Sequence, residues 1–244
     1  MDNIKGIFRR EFNSYFATPL ALVFIVFFLM LAAGFAFQFG RFYERGQADL
    51  APFFWFHPWL YLFLIPAISM RLWAEERKSG SIELLMTLPI TTWQAVLGKF
   101  LAAWAVAGVA LALTFPMWIT VNYLGDPDNG AILAGYIGSW LMAGGFLAIG
   151  SCLSSATRNQ VIAFIFTVVI CFAFMFSGYA FVLDMVSGWA PQAFVDALAS
   201  LSFYTHFQAI SKGVIDLRDL LYFGTVIGVW LAANTIVLDM KKAD

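Results

Sequence analysis

Few side chains in this 244-residue sequence could do covalent or acid–base chemistry. There are two histidines, His57 and His206, and two cysteines, Cys152 and Cys171. Two cysteines cannot build a disulfide scaffold or a cysteine-rich zinc site, and two histidines leave little for an imidazole metal centre. His57 sits in the aromatic run Phe53-Phe54-Trp55-Phe56-His57-Pro58-Trp59. It reads as an interfacial residue rather than a ligand, and so does His206. No Ser/His/Asp or Glu/His group stands at catalytic spacing. A phosphate-binding loop needs G-x-x-x-x-G-K-[ST], whereas Gly98-Lys99 runs into Phe100. The expectation is a chain with no catalytic residues, no metal and no cofactor of its own: not an enzyme.

The patterned chemistry is non-covalent and lies at residues 71–93. The charges Arg71, Glu75, Glu76, Arg77 and Lys78 come first, followed by the turn-and-cap signal Ser79-Gly80-Ser81. The apolar run Ile82-Glu83-Leu84-Leu85-Met86-Thr87-Leu88 then stops at Pro89. At ~1.5 Å per residue such a helix makes about two turns and cannot cross a bilayer. It nevertheless carries the large apolar residues Ile82, Leu84, Leu85, Met86 and Leu88. Exposed apolar clusters of this kind dock something. The alternative is that the segment folds onto the protein's own inner face or onto lipid, and the residues do not choose between them.

Residues 2–16 form a second amphipathic unit. Ile4, Ile7, Phe8, Phe12, Tyr15 and Phe16 share a helical face, with Lys5, Arg9, Arg10 and Asn13 elsewhere. That predicts an interfacial helix on the inner leaflet. The competing reading is a plain basic anchor that sets orientation.

The elements that must position these segments are membrane spans. Hydrophobic residues make up 61% and charged residues 12% of the chain, against about 45–50% and 25% in soluble domains. The net charge of −1 excludes a broad nucleic-acid surface. A bilayer core of ~30 Å takes about 20 apolar residues per helix. Six stretches qualify: 19–39, 56–73, 93–121, 131–153, 159–183 and 220–238. The first reads as a retained span, since it is too long for the apolar core of a cleaved signal. The whole chain, 1–244, reads as one all-α membrane domain. With the N-terminus inside, Lys5, Arg9, Arg10, Arg71, Arg77, Lys78, Lys99, Arg158, Lys241 and Lys242 are cytoplasmic. Only Arg41, Arg45, Lys212 and Arg218 are outside, so both termini are expected in the cytoplasm.

Local signals set several boundaries. Thr18 with Pro19 can open the first span, and Thr91/Gln94 and Thr157/Gln160 have capping-box spacing. Pro66 should kink the second span. In the outer segment 184–219, Pro191 can start a short helix carrying Phe194, Leu198 and Leu201. A second short helix follows near 203–212, and together they read as a re-entrant or interfacial pair. Gly144/Ala148/Cys152 and Gly224/Gly228/Ala232 are small-residue ladders for close helix packing, read as packing within the bundle. The span cores hold no ionisable residue, which disfavours a proton- or ion-coupled carrier, although Asn122 and Asn234 remain as polar contacts. Lys99 and Asp239 lie near cytoplasmic ends, where they can snorkel.

Residues 75–90, Glu-Glu-Arg-Lys-Ser-Gly-Ser-Ile-Glu-Leu-Leu-Met-Thr-Leu-Pro-Ile, closely resemble the cytoplasmic signature of ABC-2 type permeases. Arg9-Arg10-Glu11-Phe12, Tyr15-Phe16 and Thr18-Pro19 resemble that family's amphipathic elbow helix. Ser202-Phe203, His206-Phe207 and Gly213-Val214-Ile215-Asp216-Leu217-Arg218-Asp219 are similar to the branch holding gliding-motility permeases and the permease of nitrous-oxide reductase maturation. The resemblance implies an exporter permease in a bacterial inner membrane, with the lipid bilayer as its solvent. A second permease subunit, identical or different, would complete the pore. Two copies of a separate ABC ATPase subunit would carry ATP and Mg on the cytoplasmic side. It implies ATPase coupling through Glu76, Ser79, Gly80, Ile82, Glu83, Leu84, Leu85, Leu88, Pro89 and, in a second contact, Arg158. It implies an elbow helix built on Ile4, Arg9, Arg10, Glu11, Phe12, Tyr15 and Phe16. The branch also implies an additional periplasmic or membrane accessory protein. Two other readings remain: a scaffold that transmits force without transport, and a secondary carrier or channel.

Overall fold

The computed structural model describes residues 2–83 and 89–241, and among these it is helical with no strand. The elements are α1 (Asp2–Ala17), α2 (Pro19–Gly34) ending in a π-helical turn (Phe35–Phe39), α3 (Ala51–Trp55), α4 (His57–Ser69) and α5 (Arg71–Ser79). They continue as α6 (Thr92–Ala112), α7 (Phe115–Leu124), α8 (Asn129–Ala156), α9 (Gln160–Phe176), α10 (Ala180–Ser187), α11 (Gln192–Ser200), α12 (Phe203–Ser211) and α13 (Leu217–Met240).

Four stretches are long and apolar enough to cross a membrane: Ala21–Phe39, Thr92–Leu124, Asn129–Ala156 and Leu217–Met240. A fifth is the pair α9 and α10, bent by 78°. The stretch expected as one span over 159–183 is thus two helices with a bend between them. Gly178 lies at the bend, where a Cβ would sit 2.6 Å from Ser202 Cβ, so the chain turns where α12 packs against it. The stretch expected as the second span, 56–73, is likewise not one helix. It divides at Met70 into the 13-residue α4, with Pro66 inside it, and the charged α5.

The centre of the bundle is α8. Its 28 residues, roughly 42 Å at 1.5 Å each, pack against α4, α5, α6, α9, α12 and α13. Every residue from Met142 to Cys152 is buried. The reason is its smallness: Gly145 seats the Phe203 ring, and a Cβ at Gly150 would overlap Ser69 Oγ and stand 3.0 Å from Thr167 Cγ2. The Gly144/Ala148/Cys152 ladder thus packs within the bundle. The second ladder does not. Gly224 and Gly228 have nothing within 4 Å of an added Cβ, and Ala232 is exposed. This face of α13 points away from the molecule, which corrects the intramolecular reading for span six.

These two glycines make a contrasting prediction. Gly150→Val forces α4 off α8 and should cost about 1–3 kcal/mol by overpacking. Gly224→Ala meets open space and should stabilise slightly through helix propensity, by up to about 1 kcal/mol. Thermal unfolding of both variants in detergent checks this; equal melting temperatures would refute the close-approach account.

Caps follow the sequence in part. Thr91 and Gln94 form a complete capping box at the start of α6. Thr18 occupies the N-cap of α2 but turns its hydroxyl back to Ser14 O (3.2 Å). At α9 the cap is Asn159 rather than Thr157: Asn159 Oδ1 accepts from Val161 N (2.9 Å), while Thr157 Oγ1 accepts from Asn159 N (3.1 Å). Outside the spans, Pro191 precedes α11, and its inward residue is Val195 while Phe194 is 53% exposed. The outward belt of α9, Val161, Ile162, Ile165, Phe166, Val169 and Phe172, is exposed apolar surface, of the kind that meets lipid or another protein.

Candidate functional site

The α6 capping box fixes where α6 begins, and two turns later the helix presents Gly98 and Lys99. At Gly98 a Cβ would lie 2.7 Å from Ile7 Cγ2, so only glycine lets α1 lie directly on α6. Lys99 is buried, 3% exposed. Its Nζ donates to Glu76 Oε1 on α5 at 2.8 Å and reaches Glu11 Oε2 on α1 at 3.2 Å. The same ammonium lies 5.2 Å from the Trp73 ring centroid. Glu11 also pairs with Arg10 at 2.7 Å. One cation therefore joins three helices. Burial works against the Glu11 carboxylate, but Lys99 and Arg10 outweigh it and hold its pKa below the ordinary 4.5.

The α5 helix is fastened to α8 by hydroxyls. Ser154 Oγ accepts from the Trp73 and Ala74 backbone N–H groups, each at 3.1 Å, and donates to Met70 O at 2.9 Å. These bonds satisfy backbone groups freed at the α4–α5 break. Trp73 Nε1 donates to Ser151 Oγ (3.2 Å), which also accepts from Asn234 Nδ2 on α13 (2.8 Å). Farther along, the Arg77 guanidinium donates to Ser155 O. Partial burial, and after it the nearby Arg158 charge, lower the Arg77 pKa.

Of the residues singled out in sequence, Glu76 and Glu11 belong to this joint. Ser79 Oγ donates to Glu76 O (3.3 Å) and pairs with Ser81 Oγ (2.9 Å). Gly80 ends α5 in the left-handed region, φ 74°, a conformation in which glycine is the unstrained choice. Ile82 packs partly into the core, while Glu83 and Pro89 are exposed. Leu84, Leu85 and Leu88 lie outside the described residues. Arg158 is exposed on the turn after α8. On α1, Tyr15 is buried, Ile4 and Phe12 are partly buried, and Arg9 and Arg10 are exposed. Phe16 is more open, at 39%.

Three residues behave differently from the expectation. Lys99 does not snorkel; a lone cation two turns inside an apolar helix was the available signal for a buried joint. His57 is fully buried rather than interfacial, with Nδ1 2.7 Å from Ser139 Oγ among the rings of Phe28, Phe53, Phe54 and Tyr61. His206 is also buried, its Nδ1 2.6 Å from Asp219 Oδ1 and its Nε2 3.0 Å from Ser200 O. Both nitrogens face acceptors, so this ring ties α12 to the start of α13. Long aromatic runs conceal such burial, because flanking rings look the same at an interface and in a core.

Over residues 7–238 the chain matches the family model described as ABC-2 family transporter protein. No curated protein matches it.

Proposed function

We propose, from the premise that this chain belongs to the ABC-2 transporter family, that it is the permease subunit of an exporter driven by a separate ATPase. Family membership makes it a multi-pass membrane protein and a transporter subunit. The observation that carries the proposal further is the three-helix joint at Lys99. The docking segment after Gly80 hangs from α5, and Glu76 of α5 is tied through Lys99 to both α6 and α1. A push on that segment would therefore reach a spanning helix and the interfacial helix together. In this reading 82–88 is the coupling helix, residues 2–16 are the elbow, and 56–73, α4 with the start of α5, acts as a sixth, broken crossing. Two ATPase copies dock from the cytoplasm, and a second permease subunit completes the pore. The outer helices α11 and α12 would meet the accessory protein implied by the gliding-motility and nitrous-oxide-maturation branch. The absence of a phosphate loop in the sequence leaves ATP and Mg to the partner.

The test is nucleotide binding by the isolated chain in detergent. Neither binding nor hydrolysis of ATP is expected, and micromolar affinity for nucleotide would contradict the proposal. The orientation proposed, both termini in the cytoplasm of a bacterial inner-membrane protein, is checked with a cysteine placed at position 244. It should be reached by an impermeant thiol reagent only after the cells are opened; labelling of intact cells would reverse the topology.

A further inference from the structure

Two cavities meet at Arg158. One, of about 290 Å³, is lined by Arg77, Ala156, Arg158 and Lys241. The other, of about 420 Å³, is lined by Lys78, Thr157, Arg158, Asn159, Gln160 and Val161. Arg158 lines both, and with Arg77 and Lys78 it gives these adjoining cavities three cationic side chains; among the described residues lining them none is acidic. The cations repel: the Arg158 charge is one cause of the lowered Arg77 pKa. The backbone carbonyls there are already engaged, Ser155 O by Arg77 and Ala156 O by Lys241. A concavity that gathers positive charge in this way is complementary to an anion, and guanidinium forks match phosphate oxygens.

We infer that this concavity is a phosphate-binding site, filled by the headgroup of an anionic phospholipid of the inner leaflet. The second cavity includes Val161, the first of the exposed apolar residues running along α9. A headgroup phosphate at Arg158 would place its acyl chains along that belt. Basic pockets at the cytoplasmic ends of spanning helices hold such headgroups. The inference is independent of whether the chain exports anything.

Native mass spectrometry of the detergent-purified full chain, titrated with phosphatidylglycerol, tests it. The chain should retain the lipid, and Arg158→Gln should weaken retention by about ten-fold, the loss of one charge-assisted contact. Lys78→Gln serves as a second variant in case the first is unstable, and Arg218→Gln, near the N-terminus of α13, should change nothing. Inorganic phosphate at millimolar concentration separates the two sources. If it leaves the lipid bound, the headgroup is the occupant. If it alone binds and is lost in the variants, the site is a phosphate site filled from solution and the lipid assignment falls. Equal retention of phosphatidylglycerol by the native chain and both cavity variants overturns the proposal. So does loss of ATPase co-purification in Arg158→Gln with no lipid or phosphate bound at all, since the cations would then serve a protein partner.

Discussion

Lys99→Met should uncouple the permease while leaving it inserted. It removes the only cation within 4 Å of the Glu76 carboxylate among the described residues and one of two beside Glu11. Stripping one member from a buried ion pair costs about 3–5 kcal/mol. The lower end applies here, because the Glu11 and Glu76 side chains are 17% and 22% exposed. The variant should melt well below the native chain, and α1 should become accessible to proteolysis. The triple variant Lys99→Met, Glu76→Gln, Glu11→Gln should recover most of that loss, since no buried charge is then left unpaired and Arg10, which loses Glu11, is exposed to solvent. Failure of the triple variant to recover would mean that Lys99 acts through packing on Trp73 rather than through its charge. The joint also predicts acid sensitivity. The pKa of Glu11 is lowered on folding, so its contribution is complete above the ordinary value of 4.5. It is lost as pH falls through the lowered folded value.

Leu85→Asp should detach the ATPase from a permease that still folds. Burying a leucine in a partner's groove contributes roughly 1.5–3 kcal/mol, and an aspartate there adds a desolvation penalty of about the same size or more. Together these weaken docking by at least about a hundred-fold. Glu83 is exposed and lies at the start of the segment, so Glu83→Ala should weaken coupling less. If the segment instead packs on this chain's own inner face, Leu85→Asp should lower the melting temperature and yield of the permease itself. Measuring stability beside co-purification separates the two.

How much of this was legible in the sequence differs by kind of interaction. Spans with unbroken apolar runs, α8 and α13, stand close to where hydropathy puts them, because chain length against bilayer thickness decides them. The breaks at Met70 and Gly178 were less legible. They depend on what packs opposite, Ser154 under the α4–α5 junction and Ser202 beside Gly178, and a helix periodicity carries no record of its neighbours. The amphipathic face of α1 could be read from spacing, but not that it meets α6 at Gly98. Gly98-Lys99 was informative only as a failed phosphate loop. The glycine admits α1 and the lysine gathers Glu11 and Glu76, residues 88 and 23 positions away. Long-range ion pairs of this sort leave no local pattern. The Arg77–Arg158 cavity was hidden for the same reason: it joins the end of α5 to the turn after α8.

The most direct measurement is affinity purification of the tagged full chain from its own membranes in mild detergent, followed by assay of ATP hydrolysis on what is recovered. The account predicts an ABC ATPase in about equal amount, with hydrolysis in the complex, and its loss from Leu85→Asp at unchanged permease stability. A stable Leu85→Asp variant that keeps the ATPase and full hydrolysis, or a native chain that recovers no ATPase at all, would contradict it.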